Sequence, residues 1–254
     1  LRTWIEQPLI HKEPILGRQK AIEELNMNYI SREELGEYLN PVYDLERLIG
    51  RISYKSANPR DLLAFRNSIA MVPHIKNLLE EFTCENLTEL KEELDTLEDL
   101  EQLISSAIVE DPPIVVKEGG IIREGYNEEA DRLRNAKTEG KTWLADLESR
   151  ERDKTGIKNL KVKFNKVFGY YFEVTNSFKD LVPDYFIRKQ TLTNAERYTT
   201  NELKELEDVI LGAEDKLYSL EYELFCEVRD RIGAEVVRIQ KTAHAIAEID
   251  VYAA

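Results

Sequence analysis

Seven apolar residues near the C-terminal end leave this chain few ways to fold. Leu203, Leu206, Ile210, Ala213, Leu217, Leu220 and Leu224 follow one another at steps of 3, 4, 3, 4, 3 and 4. That repeat belongs to a helix that has to lie along another helix. The steps then lengthen to Val228, Ile232 and Val236, as when a two-helix seam merges into a bundle. Thr199 and Glu202 match a capping box, so the pattern predicts one helix over residues 200–253, roughly 80 Å long at 1.5 Å per residue. A partner helix is predicted from about Tyr126 to Arg152, carrying Ala130, Leu133, Trp143, Leu144 and Leu147, with Gly156 as its stop.

Between these helices the period changes. Leu160 to Phe164 alternates apolar and polar, Gly169 to Thr175 is aromatic and β-branched, and Tyr185 to Leu192 is a third such run. Arg197-Tyr198-Thr199 offers a short fourth. These are strand signals, with Asn165 to Gly169 as a hairpin connection and Pro183 outside the runs. Both long helices reach this segment from one side, so they must run antiparallel. Residues 1 to 110 read as further helices. Asn58-Pro59 with Asp61 starts one; Ser31 and Glu34 fit a capping box; Asn86 with Glu89 opens a helix carrying leucines from Leu87 to Leu103 and ending its stripe at Ile104. Asp111-Pro112-Pro113 stops that helix, and Ile114 to Ile122 reads as an extended segment or hairpin. The expected fold class is mainly α: a helical bundle with a long antiparallel two-helix stalk carrying a small inserted antiparallel β-sheet.

Charge picks out one segment. The 254-residue chain has a net charge of −14. From Lys154 to Thr199, however, nine Lys/Arg face four Asp/Glu, a local excess of +5 that leaves −19 for the remainder. A phosphate backbone responds to such local charge. Lys161 and Lys163 share one face of a strand, with Lys158 three residues before Lys161; Leu160, Val162 and Phe164 share the other face. Arg188, Lys189 and Arg197 add charge from other strands, and Asn165 and Asn194 sit in turns where amides meet phosphate oxygens. The nine aromatics of the segment suit a small sheet's core better than a base-stacking platform. No base-reading helix is visible, so no sequence readout is expected.

Other chemistries find little support. Gly140-Lys141-Thr142 lacks the earlier glycine and the preceding strand of a phosphate loop, since position 135 is Asn135. Cys84 and Cys226 are isolated, and His11, His74 and His244 have no metal-ligand spacing. A reduced cytoplasmic setting and no membrane span are expected. With no Met at Leu1 and helix-like residues from the start, a piece of a longer protein is expected.

Two long motifs then resemble a known family. Leu160-Lys161-Val162-Lys163-Phe164-Asn165-Lys166-Val167-Phe168-Gly169-Tyr170-Tyr171-Phe172-Glu173-Val174-Thr175 and the run from Tyr185 through Thr193-Asn194-Ala195-Glu196-Arg197-Tyr198 resemble the clamp of the bacterial DNA mismatch repair MutS family. Leu1-Arg2-Thr3-Trp4-Ile5 through Pro8-Leu9, then Ile15-Leu16-Gly17-Arg18, is similar to the start of that family's lever. The resemblance implies a lever over residues 1–140 and 201–254 and a clamp over 141–200. It implies clamp contacts to double-stranded DNA backbone at Asn165 and Asn194, with Lys166 in the same hairpin. Thr193 stands where relatives often carry Lys, which removes one charge. It implies a homodimer, mismatch repair partner proteins, and an ATPase using ATP and magnesium elsewhere in the parent protein. Phe225-Cys226-Glu227 matches the family's mismatch reader only by chance, and the Walker motifs of the family's ATPase are missing from this sequence, so neither mismatch recognition nor ATP hydrolysis, and no cofactor, is expected in this stretch. The rival expectation is a coiled-coil arm with a β head for protein docking and no DNA binding.

Overall fold

The computed structural model describes residues 2–254; Leu1, the first residue of the N-terminal motif, lies outside the described residues. In chain order the helices are α1 (Arg2–Glu6), α2 (Lys12–Met27), α3 (Tyr29–Leu39), α4 (Leu45–Ser53), α5 (Pro59–Ile69), α6 (Val72–Leu78), α7 (Glu85–Glu93), α8 (Glu98–Ala107) and α9 (Glu128–Thr155). Strands β1 (Lys161–Asn165), β2 (Gly169–Thr175), β3 (Ile187–Thr191) and β4 (Ala195–Thr199) follow, then α10 (Asn201–Ala234) and α11 (Val236–Ala253). The fold is mainly α with one small antiparallel sheet. The chain divides into two compact units: residues up to Arg123 together with Tyr222–Ala254, and Glu124–Glu221. The lever and clamp boundaries above divide the chain differently, counting the first part of α9 and all of α10 with the lever.

The first unit is built around α11, which packs on α2, α3, α4 and α7. Its buried stripe of Ile239, Thr242, Ala243, Ile246 and Ile249 has helical spacing. Asn58 caps α5 with a full capping box to Asp61, as its sequence predicts. Ser31 does not cap a helix. It lies inside α3, which begins directly after Asn28, and its hydroxyl donates to Glu81 at 2.6 Å.

Three further expectations fail here for local reasons. The leucine-rich helix expected from Asn86 to Ile104 is two helices, broken where Leu97 takes a left-handed backbone (φ 52°). That conformation costs a leucine about 1–2 kcal/mol, and the side chain is fully buried in return. The Asp95 carboxylate accepts the Leu97 N–H at 3.0 Å and is clasped by Arg238 at 2.8 Å, which fixes the break. Residues 114–122 form no hairpin. The pairing is a single bridge between Ile108 and Ile122, flanked by Val109 N–H to Ile121 O at 3.0 Å and Arg123 N–H to Ala107 O at 2.8 Å. Asp111-Pro112-Pro113 and two positive-φ glycines, Gly119 and Gly120, occupy the intervening loop. The helix expected over 200–253 is interrupted at Glu235, leaving Val236 half-buried at the start of α11.

The second unit holds α9, the sheet and the first part of α10. Asn127 caps α9 by accepting the Ala130 N–H at 3.0 Å, and Gly156 ends it at φ 71°. The helix α10 is capped by Thr200, one residue later than expected: its hydroxyl accepts the Leu203 N–H at 3.1 Å, while Thr199 belongs to β4. Within this unit the helices run antiparallel. Arg150 pairs with Glu202, Lys137 with Glu214 at 2.6 Å, and Arg134 with Glu221 at 2.9 Å. Sheet order is β1-β2-β4-β3, all antiparallel. One face covers a core of Leu144, Leu147, Leu160, Phe172, Val174, Phe186, Tyr198, Leu203 and Ile210. Trp143, expected on the apolar seam of α9, is 44% exposed, whereas its neighbour Leu144 is buried.

Candidate nucleic-acid interface

The register sorts the expected contact residues by face. Lys161 lies opposite Glu173, Lys163 opposite Tyr171, and Glu173 opposite Arg197. Directly opposed residues share a face, so Lys161, Lys163, Tyr171, Glu173 and Arg197 line the face away from the core. Arg188 pairs with Tyr198 and therefore belongs with the core side. Lys189 is the extra residue where β3 and β4 slip register. Val162 packs on the core, as alternation predicts; Phe164 shares its face but is 48% exposed and leans on Tyr170, ring centroids 4.9 Å apart.

Several of the segment's cations are already matched. The Lys163 ammonium donates to Glu173 at 2.7 Å, and Arg197 approaches the same carboxylate at 3.7 Å. Arg197 also donates to Gln190 at 2.8 Å and lies over the Tyr171 ring, so it is built into the sheet. Arg188 and Lys179 meet Glu196 at 3.5 and 2.9 Å. Lys189 donates to the Phe168 carbonyl at 2.7 Å. Lys158, Lys161 and Lys166 are exposed, and no carboxylate lies within ion-pair distance of them among the described residues. These three carry the unspent positive charge of β1, its lead-in and its turn.

Glu173 and Glu196 are residues that sequence reasoning passed over. The signal was present, one acid in each of the strands β2 and β4 of a basic segment, but which cation it meets depends on register. Glu196 is buried, and the Tyr198 hydroxyl and the Lys179 ammonium hold its carboxyl below the ordinary range despite burial. Burial, followed by the bond to Glu196, pushes Tyr198 up to about 12.

The turns occupy opposite ends of the sheet. Asn165 and Lys166 lie beside Gly169 at the start of β2, whereas Thr193 and Asn194 precede Ala195, which pairs with Thr175 at its end. The six residue steps of β2 separate the turns by about 20 Å. They therefore cannot share one phosphate; they mark two ends of a strip. Asn165 Oδ1 accepts the Val167 N–H at 2.8 Å, which leaves its NH2 as the group able to donate outward. At the other turn, Asn176 donates to the Thr193 carbonyl at 3.0 Å and to the Asn194 carbonyl at 3.1 Å, and both side chains are exposed.

Gly169 has φ 69°, and a Cβ placed there would lie 2.3 Å from Glu207 Oε2. That carboxylate accepts the Tyr170 N–H at 2.5 Å. Glu207, on α10, is another residue the sequence reading missed. Gly140-Lys141-Thr142 lies inside α9. Among the described residues there is no metal-binding group of three or more His, Cys, Asp or Glu. No helix among them is long and apolar enough to cross a membrane.

Comparison with known proteins accounts for the whole chain. The family model described as MutS domain III matches residues 1–254. The chain is 64% identical over its full length to the DNA mismatch repair protein MutS of Lachnoclostridium phytofermentans, of which it covers 27%. It is 54% identical over its full length to the MutS of Ruminiclostridium cellulolyticum, covering 29% of it. Against the MutS of Caldanaerobacter subterraneus it is 55% identical over 99% of this chain and 29% of that protein. The chain thus spans little more than a quarter of the length of these relatives.

Proposed function

Because the chain belongs to the MutS domain III family, we propose that its second unit is a clamp that holds duplex DNA by the phosphate backbone, without reading sequence, inside a mismatch repair protein. The observation that carries this reading is the unspent charge of Lys158, Lys161 and Lys166 along the edge strand β1, from its lead-in to the Asn165 turn, on a chain of net charge −14. Phosphate neutralisation needs free cations, and base reading needs a helix or ribbon aimed into a groove; the strip from Asn165 to Asn194 suits the first. Lys161, Lys166, Asn165 and Asn194 are assigned to phosphates. Thr193 adds a neutral hydroxyl there. Lys163, Arg188, Lys189 and Arg197 are assigned mainly to holding the sheet.

The first unit is proposed as the lever that links the clamp to an ATPase elsewhere in the parent protein, where ATP and magnesium would act. This chain itself is assigned no catalytic step. A second subunit that helps encircle the duplex, mismatch repair partner proteins and a cytoplasmic setting belong to the same proposal. The internal pairing of Lys163, Arg188 and Arg197 favours the rival, a protein-docking head, for that part of the surface alone.

Fluorescence anisotropy with a 30-base-pair duplex at two salt concentrations tests the reading. Binding should be measurable at low salt, fall steeply as salt rises, and be indifferent to sequence. No binding at low salt by the folded chain overturns the clamp assignment.

A further inference from the structure

The Glu207 carboxylate is oddly placed for a protein that grips a polyanion: it sits against the very turn assigned to phosphate contact. Its geometry supplies a reason. The turn between β1 and β2 is held from outside the hairpin at two backbone groups. Lys189 donates to the Phe168 carbonyl at 2.7 Å, and the Tyr170 N–H donates to Glu207 at 2.5 Å. Gly169 between them leaves the carboxylate its seat, since any side chain there would start 2.3 Å from Oε2. A hydrogen bond to a charged acceptor is stronger than one between neutral groups, and this one joins the turn directly to α10.

Resting on the clamp reading above, we infer that Glu207 is a positioning residue for duplex binding. It fixes the turn carrying Asn165 and Lys166 on α10, so that these two side chains meet the backbone without first being ordered. A side chain acting this way contributes through the hydrogen bond it accepts. A carboxylate that merely lay near the duplex would instead weaken binding through its charge.

Glu207→Gln and Glu207→Met separate these roles in the 254-residue chain. Both variants are uncharged and of similar length; only Gln retains an oxygen acceptor for the Tyr170 N–H. Amide hydrogen exchange should show Tyr170 protected in the wild type and in Gln, and exchanging roughly tenfold faster in Met. Met should bind a 30-base-pair duplex about fivefold more weakly than Gln, with an unchanged salt slope because no phosphate contact is removed. Equal affinities for Gln and Met, or equal Tyr170 exchange, would overturn the inference. So would loss of the folded circular dichroism signal in either variant, which would make Glu207 structural. If the wild type itself fails to bind, the clamp reading falls, and the exchange comparison still decides whether Glu207 holds the turn.

Discussion

At the residue scale, the basic segment separates charge that is spent from charge that is available. Lys163 and Lys161 are two residues apart on one strand face, yet the first is 2.7 Å from Glu173 and the second has no carboxylate within ion-pair distance among the described residues. Removing a free cation that neutralises a phosphate should lower the salt slope of duplex binding by about one. Lys161→Ala and Lys166→Ala are therefore expected to weaken binding alike for all sequences and to reduce the slope by about one each. Lys163→Ala should change the slope by much less, because its loss returns Glu173 wholly to Arg197. Anisotropy titrations over a series of salt concentrations check this; equal slopes for Lys161→Ala and Lys163→Ala would contradict it. The alternation of Lys161 and Lys163 was legible in the sequence, as were the turn positions of Asn165 and Asn194. The pairing of those lysines was not, since it depends on which residue of a neighbouring strand lies opposite. Glu207 was hidden for a similar reason: it lies 38 residues after Gly169 in sequence and meets it only once helix and sheet are packed.

At the scale of elements, periodicity located the long helices and β1, each with one apolar stripe or face, while aromatic and β-branched composition located the other strands. It failed where a short-range geometry overrides the stripe. Leu87 to Ile104 keeps helical spacing straight through the break at Leu97, so the pattern carries no trace of the left-handed residue there. The interruption at Glu235 is equally silent. The antiparallel pairing of α9 with the first part of α10 gives a sharper example. Gly140 sits mid-helix, where Ala would be favoured by about 1 kcal/mol on propensity alone. Its Cβ, however, would lie 2.4 Å from Ile210 Cγ1. Overpacking of that kind costs about 1–3 kcal/mol, so packing should outweigh propensity. Gly140→Ala is expected to lower stability by about 1 kcal/mol in urea denaturation, and Gly140→Ala with Ile210→Val should recover part of it. A stabilising Gly140→Ala would show that the two helices separate easily at this point.

At the scale of the whole molecule, charge divides between the units. The first carries 18 Lys/Arg against 29 Asp/Glu and the second 17 against 20. The difference lies in the sheet segment, the part of this acidic chain that the clamp proposal assigns to a polyanion. The surplus carboxylates of the first unit include clasped ones. Arg66, then Arg123, hold Glu110 at about 2, below its ordinary 4.5. Arg238 holds both Asp95 and Asp99 below the ordinary carboxylate range, against some burial. A depressed carboxyl contributes its full stabilisation above the unfolded-chain value, because both states are then ionised. As pH falls, the unfolded chain binds protons first, and the contribution drains away down to the folded value. Unfolding midpoints should thus be flat from about pH 8 to 5.5 and decline between about pH 4.5 and 2. Arg238→Met should flatten the part of that decline due to Asp95 and Asp99, and it should also loosen the break at Leu97 that Asp95 caps. Lys161→Ala, on the sheet, should leave the acid decline unchanged. Thermal melts of the three proteins from pH 8 to 2 provide the comparison; an Arg238→Met profile parallel to the wild type would mean that the clasp does not govern acid stability.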